Sequence, residues 1–334
     1  MTRQNLTLQP LLSRACAALG IVAAALGSTT AQAQDFPTRP IKLVVGYAPG
    51  GPTDVIARLV AQEMQATLGQ TVLVENKAGA NGNIATEEVA RAAADGHTLI
   101  VNTLSHNVNA ILGAGKVKYD PARDFAPVSL AVALPQVLVV APDSRYATLA
   151  DLIKAAKAAP GVVTFGSAGN GGSAHLTAAL LEQRAGIKMN HIPFKGNAPA
   201  LTEVMAGRVD LVFYPMIGIA DRVAQKQVKV LAVTTAKRHP DFPNVPTMSE
   251  SGFPGFEEYV GPVGFLAPAN TPPAVLEKLS SAIRAALNKP ALQDRLRGLG
   301  AVVVASTPAD YRQWLKADHE RWAQLIKAAN VSGE

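Results

Sequence analysis

Gly46-Tyr47-Ala48-Pro49-Gly50-Gly51-Pro52-Thr53-Asp54 lies between two patterned stretches. Ahead of it, Ile41-Lys42-Leu43-Val44-Val45 reads as a buried strand, and behind it Ile56, Leu59, Val60, Met64 and Leu68 recur at helical spacing. The segment is therefore a strand, a tight glycine-rich turn and a helix start. A helix start carries unpaired backbone N–H groups and the positive end of the helix dipole. Two glycines let a ligand approach that backbone, and Thr53 or Asp54 can cap the helix. Read for function this is an oxyanion site. Read blandly it is an ordinary turn between a strand and a helix.

The pattern recurs. Val162-Val163-Thr164-Phe165 reads as a second strand, followed by the loop Gly166-Ser167-Ala168-Gly169-Asn170-Gly171-Gly172-Ser173 and a helix starting at Ala174-His175-Leu176. A third turn, His191-Ile192-Pro193-Phe194-Lys195-Gly196-Asn197-Ala198-Pro199, again precedes a helix, and Lys195 could attract an anion. Two α/β halves, each aiming a helix start at one cleft, are expected. The strand after the third helix ends at Tyr214-Pro215, where open α/β sheets present ligand crevices.

The first 33 residues read as an export leader. Arg3 and Arg14 are basic, 15–26 is a short apolar run, and Ala31-Gln32-Ala33 is a cleavage signal. Cleavage after Ala33 leaves roughly 300 residues, two domains at roughly 150 each. Cys16, within the leader, is the only cysteine, so a disulfide-free chain in a periplasm-like compartment is expected. The formal charge of +6, with no basic stripe, disfavours nucleic acid and suits a small anionic ligand.

Between these landmarks, apolar runs and helical patterns alternate, which predicts parallel sheets with right-handed crossovers. Thr103, Ser105 and Asn107 are placed in a polar loop ahead of a short helix. The run 127–141 is interrupted by Pro135, 259–267 reads as a strand linking the halves, and the remainder reads as helical. Thr307-Pro308-Ala309-Asp310 opens the last helix, whose Tyr311, Trp314, Leu315, Trp322, Leu325 and Ile326 share a packing face.

Other chemistries fit poorly. The second glycine loop approximates a phosphate-binding loop, but Gly172 stands where the lysine belongs. Ser173 and His175 invite a hydrolase reading, yet neighbours on a helix start point apart and no nucleophile elbow is present. The six histidines form no metal-ligand spacing.

These segments together resemble the Bug receptors, the extracytoplasmic solute receptors of the tripartite tricarboxylate transporter family. The resemblance rests on Ala48-Pro49-Gly50-Gly51-Pro52-Thr53-Asp54, Val74-Glu75-Asn76-Lys77-Ala78-Gly79, Asp95-Gly96-His97-Thr98-Leu99 and Tyr119-Asp120-Pro121. It continues through Phe165-Gly166-Ser167, His175-Leu176, Pro193-Phe194-Lys195-Gly196, Val245-Pro246-Thr247, Ala267-Pro268-Ala269-Asn270-Thr271-Pro272 and Trp322. The chain departs from the family at Asn109-Ala110-Ile111-Leu112-Gly113, where Asn-Pro-x-Leu-Tyr is usual. The resemblance implies a type II periplasmic-binding-protein fold, two α/β domains joined by two crossing strands near 134–137 and 259–261. The domains would be 34–134 with 260–334, and 135–259. It further implies a monomer that takes a small organic carboxylate (a di- or tricarboxylate, an aromatic acid or an amino acid), with no cofactor, metal or catalytic residue. One wall of the site would hold Tyr47, Pro49, Gly50, Gly51 and Asp54, extended by Thr103, Ser105 and Asn107. The other would hold Ser167, Gly169, Asn170, Gly171, Ser173 and His175, with Gly196 and Tyr214 beside them. The implied partner is a two-component membrane permease. The alternatives are a receptor that presents its ligand to a sensor kinase, or a secreted α/β hydrolase.

Overall fold

A computed structural model describes residues 36–113, 117–328 and 331, so the leader and its cleavage site lie outside the described residues. The chain separates into Met1–Thr38 and Arg39–Glu334, and every element named below belongs to the second unit.

Strand β1 (Ile41–Val45) buries Ile41, Leu43, Val44 and Val45 fully, as suits a central strand covered on two sides, and only Lys42 stays part-exposed, paired with Glu75 at 2.7 Å. After the glycine loop, α1 (Pro52–Leu68) starts with proline in its first turn and stops at Gly69, whose left-handed backbone (φ 63°) returns its N–H to Gln65. Then come β2 (Val72–Asn76), α2 (Asn83–Ala90), β3 (Thr98–Asn102) and α3 (Ser105–Leu112). Ser105 and Asn107 are therefore helical rather than part of a loop. A polar helix start with Val108 and Leu112 spaced behind it carries too little periodicity to be separated from a loop.

Strand β4 (Phe125–Leu134) stops at Pro135, which has no N–H to give a ladder, and β5 (Gln136–Val140) resumes in a different sheet. That second sheet is completed by β6 (Thr164–Ser167), β7 (Asn190–Pro193), β8 (Leu211–Pro215) and β9 (Lys229–Val233). Helices α4 (Leu149–Ala158), α5 (Ser173–Ala185), α6 (Asn197–Met205) and α7 (Ile219–Ala224) connect them. The capping box that opens α4 is complete, Thr148 and Asp151 exchanging side-chain and backbone bonds. The chain rejoins the first sheet through β10 (Gly261–Pro268), whose Gly261 lies opposite Leu134. The chain thus changes sheet at Pro135 and again before Gly261, where β10 begins, and not at 259.

With β11 (Val302–Val303) at one edge, the order in the first sheet is β11-β4-β10-β3-β1-β2, and in the second β7-β6-β8-β5-β9. Both are mixed. In each, three neighbouring strands pair in parallel (β2, β1, β3 and β7, β6, β8) and every pairing beyond them is antiparallel. The parallel pairing expected of the alternating order thus holds for those three strands of each sheet and not for the rest. An apolar run reports burial on two faces, not direction, and the strands on either side of the passages turn back on their neighbours. After α8 (Pro273–Leu287) and α9 (Pro290–Gly298) a short β11 (Val302–Val303) interrupts the expected helical remainder.

The last helix, α10 (Pro308–Ala328), packs as its face predicts. Tyr311 and Trp322 are buried, and Tyr311 joins a core with Val44, Val89, Ile100, Phe125 and Leu266. A side chain at Gly264 would collide with the Tyr311 ring, and the Tyr311 hydroxyl accepts from Asn102 at 2.7 Å. Burial raises Asp318 to about 6; it accepts from Asn107 at 3.0 Å and from the Trp322 indole at 2.9 Å, which fastens α3 to α10.

Candidate functional site

The first glycine loop is held by one carboxylate. Asp54 is 3% exposed, and both its oxygens are occupied. One accepts from the Gly50 N–H (2.9 Å) and Arg58 Nε (3.0 Å); the other accepts from Asn76 Nδ2 (2.9 Å) and pairs with Arg58 Nη2 at 2.9 Å. Burial opposes its charge, but the Arg58 bond, the Gly50 N–H and the Asn76 amide outweigh that and hold the carboxyl below its usual range. Asn76 also donates to the Tyr47 carbonyl at 3.0 Å, so both ends of the turn are tied. The capping expectation needs correction. The cap position is Gly51, with no side-chain bond from Thr53 or Asp54; Asp54 reaches backwards to Gly50 instead. Gly50 has a left-handed backbone (φ 77°), whereas Gly51 is extended at φ −78°, a conformation open to any residue.

Tyr47 points inward from this loop. Its hydroxyl lies 2.7 Å from Ser105 Oγ and 2.9 Å from Thr103 Oγ1, with those two hydroxyls 2.8 Å apart. Burial pushes its pKa up, so it stays a neutral donor and acceptor.

The second glycine loop has a neutral brace. Ser167 Oγ accepts from the Gly169 N–H at 3.0 Å and meets His191 Nε2 at 2.6 Å. His175 Nδ1 accepts from the Gly171 N–H at 2.9 Å. The two imidazoles stack with centroids 4.1 Å apart and planes 2° from parallel, and Phe165 stacks on His191 at 4.8 Å. Burial lowers His175 to about 4 and His191 to about 3, the latter also through its neighbour His175. Both are uncharged at neutral pH.

The two loops and the third turn meet. The Ala48 N–H donates to the Lys195 carbonyl at 3.1 Å, and Ala48 packs against Gly196, the cap of α6. Between them lies a cavity with about 40 Å³ open to the centre of a water molecule, room for a few waters at roughly 10–15 Å³ each. Three helix starts line it: Gly51, Pro52 and Thr53 from α1, Gly172 and Ser173 from α5, and Asn197 from α6. Tyr47, Asn81 and Thr103 add polar groups; Leu134, Ala168, Pro215 and the start of β10 at Gly261, Pro262 and Val263 add apolar walls. No charged side chain is among the lining residues.

Of the expected site residues, Tyr47, Gly51, Thr103 and Ser173 line this cavity. Gly169 and Asn170 line a wider neighbouring cavity, as does Lys195. Pro49, Gly50, Asp54, Ser105, Ser167, Gly171, His175 and Gly196 brace or flank the loops without facing the cavity. Asn107 is turned away towards Leu315 and Asp318 on α10. On β8 it is Pro215, not Tyr214, that faces the cavity, because successive strand residues point to opposite faces. Ser173 and His175 also part company: one faces the cavity and the other lies in the imidazole stack, so no hydrolase pair forms. Among the described residues no three metal-ligating side chains come together.

Sequence reasoning missed Asn197 and Asn81. Asn81 lies in the single turn Ala80–Gly82 with a left-handed backbone (φ 50°). Its amide nitrogen donates to the Asn170 carbonyl (2.8 Å) across the cleft and to Asn109 (3.1 Å), and Asn109 returns a bond to the Asn81 carbonyl at 3.1 Å. The Asn-Gly pair at 81–82 is a turn signal, which is all the sequence offers there.

Comparison with known proteins places this architecture. Residues 56–331 match the family described as tripartite tricarboxylate transporter family receptor. The chain is 41% identical over 301 residues to a protein from the tcbD-tcbE intergenic region of Pseudomonas sp. strain P51, covering 90% of this chain and 89% of that one. It is 35% identical to Protein BugT of Bordetella pertussis, covering 95% and 97%. Among solved structures, MatC from Rhodopseudomonas palustris with bound malate is 33% identical with a TM-score of 0.83, covering 87% of this chain and all of that one. A second R. palustris protein, with adipate, is 33% identical with a TM-score of 0.85, covering 89% and 99%. The chain belongs to the tripartite tricarboxylate transporter receptor family, as a Bug-type solute-binding protein with a periplasmic-binding-protein fold and not an enzyme.

Proposed function

We propose that this protein captures one small organic carboxylate in the cavity between the glycine loops and hands it to a two-component membrane permease. It acts in the periplasm, after cleavage behind Ala33, as a monomer. The two sheets act as hinged lobes, 34–134 with 260–334 and 135–259, that close over the ligand about the passages at Pro135 and Gly261. The observation that carries this is the convergence of three helix starts on a cavity with no charged side chain. The N–H groups at a helix start favour negative charge, while a cation would meet no carboxylate there. Asp54, the acid nearest the loop, is saturated by Arg58, Asn76 and Gly50 and leaves nothing for an ammonium group. A plain carboxylate therefore suits the site better than an amino acid. The malate and adipate held by the two R. palustris relatives support the same class.

The test is a thermal-shift panel of organic carboxylates, neutral sugars and amines. A binding carboxylate at a hundredfold excess over Kd stabilises the folded state by roughly 2.7 kcal/mol. Shifts from sugars or amines with none from carboxylates would overturn the assignment.

A further inference from the structure

Asn81 stands between two cavities. The smaller cavity under the helix starts and its wider neighbour, of about 500 Å³, share only Tyr47, Asn81 and Ala168 among their lining residues. Ala168 ends at its methyl group, and the Tyr47 hydroxyl is pinned by Thr103 and Ser105. Asn81 is the group that reaches across. It is 8% exposed, donates to the Asn170 carbonyl at 2.8 Å, and its amide oxygen lies 3.3 Å from the Tyr47 hydroxyl.

The opposite loop makes room for it. A side chain built on Gly169 would lie 3.3 Å from the Asn81 Cβ, and one on Gly172 would lie 3.3 Å from its amide oxygen. The glycines of the second loop thus form a berth for this asparagine. Its own left-handed backbone, which asparagine tolerates better than most residues, aims the side chain inward.

We propose that Asn81 is a specificity-determining residue that sets the maximum length of the ligand. It is the end wall of the carboxylate cavity, resting on the functional reading above. A short dicarboxylate ends against it. A longer one must displace the amide and break its bonds to Asn170 and Asn109 before its far carboxylate reaches the wider cavity.

The experiment is titration calorimetry of the purified protein with malonate, succinate, glutarate, adipate, pimelate and suberate. It is run on the wild type, Asn81→Gly, Asn81→Ser and Asn81→Asp. Glycine accepts the left-handed backbone without strain, and serine is a second shortened variant should glycine loosen the turn. The wild type is expected to bind the short members and to weaken steeply with length. The two shortened variants are expected to raise the adipate-to-succinate affinity ratio at least tenfold. Asn81→Asp keeps the wall, so it keeps the length limit while binding every member more weakly. An unchanged ratio in both shortened variants, or a wild type that prefers pimelate and suberate, would overturn the proposal. If no carboxylate binds any cooperatively folded form, the functional reading itself fails and this inference fails with it. Binding with an unchanged length profile removes the inference alone.

Discussion

The two glycine loops offer the cleft the same thing, a helix start with free N–H groups, yet they are braced by opposite means. The first hangs on an ionised carboxylate: Asp54 fixes Gly50, Asn76 and Arg58 at once. The second hangs on neutral rings: His175 takes the Gly171 N–H, His191 meets Ser167, and the two imidazoles lie face to face. Neither brace faces the cavity. A binding backbone has to be held in position from behind, and a charge placed behind it is screened from the ligand by the groups it pairs with. Charge and aromatic stacking are interchangeable for that task, but they respond differently to mutation and to pH.

The largest expected effect is at Asp54. Asp54→Ala leaves the Gly50 N–H, the Asn76 amide and Arg58 without their acceptor. With hydrogen bonds to charged groups contributing about 1.5–3 kcal/mol, a stability loss of about 2–3 kcal/mol follows. Arg58 is half exposed and can recover water, which keeps the loss from being larger. Binding of the best carboxylate should fall at least a hundredfold, because the loop that presents the α1 N–H groups is no longer fixed. Asp54→Asn should fall between alanine and wild type. Asparagine accepts at one oxygen only, so its NH2 group faces donors that now need an acceptor. Calorimetric melting and titration check both variants; an Asp54→Asn protein indistinguishable from wild type would show that charge is not what holds the loop.

Acid should separate the two braces. The folded-state pKa values of His175 (about 4) and His191 (about 3) lie below the ordinary histidine value, so between pH 6.5 and those values the unfolded chain binds more protons. Stability from the stack is therefore complete above about pH 6.5 and is lost progressively as pH falls towards 4 and then 3. Asp54 has a lowered pKa, so its contribution is complete above the usual aspartate range and is lost as pH falls through that range and below it. Asp318, raised to about 6, works the other way: the fold favours its protonated form and gains stability on acidification through that value. A variant comparison removes that background. His191→Gln retains a polar partner for Ser167 and cannot charge. It should be less stable than wild type at pH 7.5 and should lose less on going to pH 5, measured by denaturant unfolding at each pH. Parallel losses in both proteins would mean that the stack does not govern the acid response.

How far the sequence foretold this contrast depends on which partner each residue needed. The loops themselves were legible, because a largely apolar strand followed by glycines and a helical repeat has few other readings, as at 41–68 and 164–185. So was the face of α10, which depends on spacing within one helix. Strand direction was not: β10 reads the same whether it runs with β3 or against it, and only its place beside Leu134 decides. The braces were hidden for the same reason. Asp54 meets Arg58 one turn on, but its bond to Asn76 spans 22 positions, and Asn107 finds Asp318 211 positions away. His175 and His191 carry no mark of stacking in the sequence. Asn81, which crosses the cleft, looks like the middle of a plain turn.

The smallest effect should distinguish the two glycines of the first loop, which the sequence treats alike. Gly50 has φ 77°, a region that costs a non-glycine residue roughly 1–2 kcal/mol, although nothing lies within 4 Å of a methyl placed there. Gly51 has φ −78°, and a methyl there would make ordinary contacts of 3.6 Å with the Ala48 carbonyl and 4.0 Å with the Ala198 nitrogen. Gly50→Ala should therefore lower the melting temperature by a few degrees through the backbone alone, about 2–4 °C per kcal/mol for a chain of this size. Its effect on binding should be indirect and small, since Gly50 does not face the cavity. Gly51→Ala should melt within about a degree of wild type yet weaken carboxylate binding up to roughly tenfold, or about 1.4 kcal/mol, because its methyl stands where the helix start approaches the ligand. The two variants, melted and titrated side by side, should thus show opposite patterns. The same pattern in both would mean that conformation and close approach are not divided between these residues, and that the first loop binds as one deformable unit.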